Sequence, residues 1–61
     1  MTSRQIEKIA RRAITISKQR GDSNTAQVEQ MARAVIHACK YGSIKDVNEM
    51  DIAHLRAIVG D

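Results

Sequence analysis

Between residues 2 and 20 the chain sets apolar side chains at helical spacing and fills the gaps almost entirely with polar and charged ones. At 100° per residue, Ile6, Ile9, Ala13 and Ile16 fall in one narrow arc, with Ala10, Ser17 and Ile14 trailing off one edge. Arg4, Glu7, Lys8, Arg11, Arg12, Thr15 and Lys18 occupy the opposite arc. This spacing is that of a helix, so one face must be covered by protein while the other meets water or a partner. Thr2 followed three residues later by Gln5 fits a capping box, which predicts a helix over 3–20. Gly21 is placed to end it in the left-handed conformation.

The stretch Gly21-Asp22-Ser23-Asn24 is short and made of turn formers, which favours an antiparallel hairpin between its flanking helices. Asn24 or Thr25 is expected to cap the second helix, over 25–41. Val28, Ala32, Val35 and Cys39 repeat at four-three-four spacing, the pattern of a packing seam, and Met31, Ile36 and Ala38 widen it. Its polar face carries Glu29, Arg33, His37 and Lys40, with Glu29 and Arg33 spaced for an ion pair. Alanines on both seams (Ala10, Ala13, Ala32, Ala38) allow the helices to approach closely. A single turn is expected over 44–47. A shorter third helix follows over 49–59, capped by Asn48, with Glu49 and Asp51 favourably placed against its dipole. Val47 and Ile52 are spaced as a hydrophobic staple, and Ile52, Leu55, Ile58 and Val59 form its apolar edge. Without strand alternation or proline, the pattern predicts an all-α fold. It is an antiparallel hairpin of two long helices plus a short third, in a single small helical domain over 1–61.

Such a chain is short of core. Sixty-one residues bury only about 60% of the surface their unfolded form exposes, and the apolar residues are aliphatic, without Phe or Trp. Cys39 is the sole cysteine, so no internal disulfide or zinc cluster can compensate. Self-association is the remaining remedy. Ile14 and Ile36, each at the edge of its seam, are the expected contacts of a homodimer that completes the fold.

Function is less constrained. The chain has no apolar run long enough to span a bilayer and no secretory h-region. With an unpaired cysteine as well, a cytoplasmic protein without membrane association is expected. An enzyme needs converging polar groups in a pocket that excludes water, and no such group stands out, so no catalytic, cofactor or metal site is assigned. Cys39 lies on an apolar seam, where a thiol acts as a small hydrophobe. His37, Tyr41 and His54 read as surface residues, and Asp46, Glu49 and Asp51 lack calcium-loop spacing.

Charge is the one functional signal. The net charge of +3 is uneven, residues 1–21 carrying +5 and residues 22–61 carrying −2. Arg4, Lys8, Arg11, Arg12 and Lys18 form a basic strip on the first helix, the candidate partner or nucleic-acid contact, since guanidinium groups suit phosphate oxygens. Glu7 interrupts it, and aromatic groups for base stacking are lacking. A helix-turn-helix fits neither Gly42, where the connection is long, nor Gly21, where the following residues are polar. The sequence therefore points to a small non-enzymatic interaction protein, a regulator, inhibitor or assembly factor, with a protein partner favoured over nucleic acid. The alternative is a nucleic-acid-binding regulator using the basic face of the first helix.

Overall fold

The caps written into the sequence set the helix ends. At the first, the Gln5 amide donates to Thr2 Oγ1 at 3.2 Å and the Thr2 amide donates to Gln5 Oε1 at 2.9 Å. This reciprocal box starts α1, Ser3–Arg20. In the computed structural model, which describes residues 2–60, α1 ends at Gly21, whose φ of 69° few other residues would adopt. There the Gly21 amide donates to the Lys18 carbonyl and the Asp22 amide to the Ser17 carbonyl, a Schellman closure that satisfies two end carbonyls. Helix α2 spans Thr25–Tyr41. After a 3₁₀ turn at Ile44–Asp46 comes α3, Glu49–Val59. The described residues are all helix and connection, with no strand.

Two expectations at the connections are corrected. Asn24 stands at the N-cap position of α2, but neither its side chain nor that of Thr25 caps the helix. Instead the Thr25 hydroxyl donates to the Asp22 carbonyl at 2.6 Å and lies 3.2 Å from Ser17 Oγ. The local turn thus outcompetes capping for that hydroxyl. The expected turn over 44–47 is one residue shorter, because Val47 is already extended (ψ 136°) and leads into α3. Asn48 caps α3 as expected, its Oδ1 accepting from the Met50 amide at 2.9 Å.

α1 and α2 pack as a hairpin, and α3 lies back along it, more against α1 than α2. The radius of gyration, 10.6 Å, matches the ~10.5 Å of a compact chain this long, so α3 is folded onto the hairpin rather than extended from it. Leu55, 1% exposed, seats α3 within its own chain.

The buried line of α1 is rotated from the expected arc. Ile6, Ala10, Ala13 and Ser17 are buried, whereas Ile9 and Ile16 are only half-buried. On α2 the buried line is Val28, Ala32, Val35 and Ala38, with Cys39 half-buried beside it. The reason is steric. Small residues occupy the line of closest approach, where backbones can come near each other, and larger isoleucines fill the flanks. Ser17 can be fully buried because its hydroxyl faces Thr25 Oγ1 at 3.2 Å and Asp22 Oδ2 at 3.5 Å, which satisfies it.

Candidate functional site

The hairpin has two sides, and α3 covers only one. On that side Ile9 meets Val59 in a depression flanked by Lys8 and Arg12. A second depression there, between α2 and the segment leading into α3, has Ala34, Val35 and Ala38 on its floor and Asp46 and Asp51 at its edge. The other side carries a groove of about 520 Å³ built from α1 and α2 alone. Ile14 and Ile36, both half-buried, face it from opposite helices. Arg11 and Thr15 border it on α1; Arg33, His37, Lys40 and Tyr41 border it on α2.

The cations of the basic strip are all exposed, and four of them are divided among different hollows. Lys8 and Arg12 lie in the depression beside α3, while Arg11 belongs to the open groove. Arg4 falls in a third hollow with Ser3, Glu7 and Cys39. Lys18 reaches across to α2, its Nζ 3.8 Å from Glu29 Oε1. What sequence reasoning missed is the α2 half of the groove, Arg33, Lys40 and Tyr41. Its signal was present as the polar face of the second helix, but nothing said that this face borders Ile14.

Acid partners hold part of this charge in place. Arg11 Nε lies 3.3 Å from Glu7 Oε2, and Arg33 donates to Glu29 Oε1 at 2.6 Å. The Arg33 guanidinium, then the Lys18 ammonium, holds the Glu29 carboxyl below its ordinary pKa. A carboxyl whose pKa is depressed by folding stabilises the fold above its unfolded pKa and loses that contribution as pH falls through the folded one. The Glu29 pairs therefore operate fully at neutral pH, though exposed pairs of this kind contribute little. Lys40 has no acid partner among the described residues. At the groove's end the rings of His37 and Tyr41 lean together, centroids 4.5 Å apart and planes inclined by 36°. Tyr41 is 72% exposed.

The other candidate groups are accounted for by packing. Cys39 sits against the core, half-buried. Burial and then the Glu7 carboxylate push its thiol pKa up, outweighing a hydrogen bond at the Glu7 backbone, so the thiol stays protonated at neutral pH. Its alkylation by iodoacetamide near neutral pH is expected to run at least about fivefold slower than that of a free model thiol. A rate equal to the free thiol's would contradict the packed placement. His54 is exposed on α3. Among the described residues no three His, Cys, Asp or Glu side chains converge as a metal site, and no helix is long and apolar enough to cross a membrane. Comparison with known proteins gives no match, whether to a family model, a curated protein or a solved structure.

Proposed function

We propose that this chain is a small non-enzymatic helical interaction protein, acting as a regulator, inhibitor or assembly factor by binding a macromolecule in the α1–α2 groove. One observation carries the reading. Ile14 and Ile36 stand side by side on the hairpin face that α3 leaves uncovered, beneath a rim of Arg11, Arg33 and Lys40. An apolar floor inside a charged border is the anatomy of a protein-binding surface. The groove is open along its length, which suits a macromolecule better than reaction chemistry that must exclude water.

Two other occupants use overlapping residues. A second copy could pair through Ile14 and Ile36, giving the homodimer expected from the small core. Nucleic acid could engage the exposed cations of α1, but Glu7 interrupts them and pairs with Arg11. Exposed aromatic rings are also few, His37 and Tyr41 together and His54 apart on α3.

The test is a photo-crosslink. The photoreactive amino acid p-benzoylphenylalanine replaces Thr15, an exposed residue on the groove, in cells that make the protein. A discrete protein adduct is expected from position 15 and not from a control at exposed Ala57 of α3. An adduct of two identical chains would assign the groove to a homodimer, and one with nucleic acid would assign it to the alternative. Absence of any adduct would remove the reading.

A further inference from the structure

We propose that the groove takes an acidic amphipathic helix of another protein, laid along the seam as a fourth helix opposite α3. The inference rests on the groove being the binding face and adds the chemistry of what fills it.

Three observations select this occupant. The first is shape. α3 shows how a short helix seats on this hairpin, laying an apolar edge chiefly against α1, and the opposite side offers an open seam between α1 and α2. From Arg33 to Tyr41 the groove runs about 12 Å along α2, two turns of an occupant whose apolar residues recur at i, i+3 or i+4, and i+7. The second is charge. Arg11, Lys18, Arg33 and Lys40 lie on or beside this face against two carboxylates, Glu7 and Glu29, which leaves it net positive. Carboxylates flanking the occupant's apolar stripe would complement it. The third is area. Ile14 and Ile36 are already half-buried, and Tyr41 is the one exposed large apolar side chain on the groove. Obligate dimer interfaces are large and mostly apolar, and face-to-face pairing of two copies would set these cations against each other. The same features disfavour a second copy and favour a partner of opposite charge.

The test uses the intact protein and two synthetic peptides. Each has leucines at the i, i+3, i+4 and i+7 positions. One is flanked by glutamates and the other by lysines at the same places. Binding is followed by amide shift changes in NMR spectra. The glutamate peptide is expected to bind, with the largest changes at Ile14, Ile36 and Tyr41. Affinity for the lysine peptide should be weaker by at least about tenfold. In the double variant Arg33→Glu/Lys40→Glu, whose two positions are exposed, the preference should reverse. Such a reversal needs the charges to act directly across the groove, and loss of folding cannot produce it. Equal binding of both peptides, shifts confined to the α3 side, or a stable dimer of the protein alone that Ile36→Lys dissociates would each overturn the proposal. A protein adduct from position 15 without glutamate-peptide binding would refute the acidic helix and leave the groove standing. No adduct together with no peptide binding would refute both.

Discussion

Leu55→Ala is expected to lower the thermal midpoint by about 12–24 °C. Leu55 is the largest of the fully buried side chains and the only residue of α3 that is buried rather than half-buried. Removing a buried leucine side chain down to its Cβ costs about 3 kcal/mol where the surroundings cannot collapse into the space. For 61 residues, at about 0.05–0.15 kcal/mol each, the whole stability is only about 3–9 kcal/mol. In a domain this small each kcal/mol shifts the midpoint by about 4–8 °C. Far-ultraviolet circular dichroism on heating measures it directly. A shift below about 3 °C would mean that α3 is not seated on its own hairpin in solution.

The second large effect comes from adding atoms. Ala32→Leu is expected to destabilise by about 2 kcal/mol or more, because Ala32 is 0% exposed on the line where α2 meets α1. Overpacking a filled core displaces side chains and backbone at about 1–3 kcal/mol. Alanine and leucine are both strong helix formers, so the loss reports on helix approach rather than on propensity. Ala57→Leu on the exposed face of α3 is the control, expected within about 0.5 kcal/mol of the parent. Equal urea midpoints for the two variants would show that the α1–α2 seam has room to spare. The two substitutions are complementary: one tests whether α3 is attached, the other how closely the hairpin closes.

The helices and most of their ends were legible because they depend on residues close together in sequence. Thr2 and Gln5 close their own box, Asn48 caps its own helix, and Gly21 supplies a left-handed residue whatever packs nearby. Where a local signal had two possible partners it misled. Thr25 was readable as a cap, yet its hydroxyl joins Ser17 and Asp22 in the hairpin turn. The centre of each buried face was also displaced, from Ile16 toward Ala10 and Ser17 on α1 and from Cys39 to Ala38 on α2. Hydrophobicity alone weights the large side chains. Close packing instead gives the innermost line to the small ones, and apolar bulk goes to the flanks.

The groove was legible only in pieces. Ile14 and Ile36 stood out because each was oblique to its seam, and both line the groove. Arg4, Lys8, Arg11, Arg12 and Lys18 stood out as one strip, and all five are exposed, four of them divided among different hollows and Lys18 pairing with Glu29. Periodicity within a helix, turn chemistry and caps are properties of neighbours in the chain, and these the amino-acid sequence determined by itself: an all-helical hairpin followed by a third helix. Which side of the hairpin α3 covers depends on long-range packing among side chains distant in sequence. Only the tertiary structure decided that Leu55 is buried within its own chain, and that Ile14, Ile36, Arg33 and Lys40 are left together on the open side.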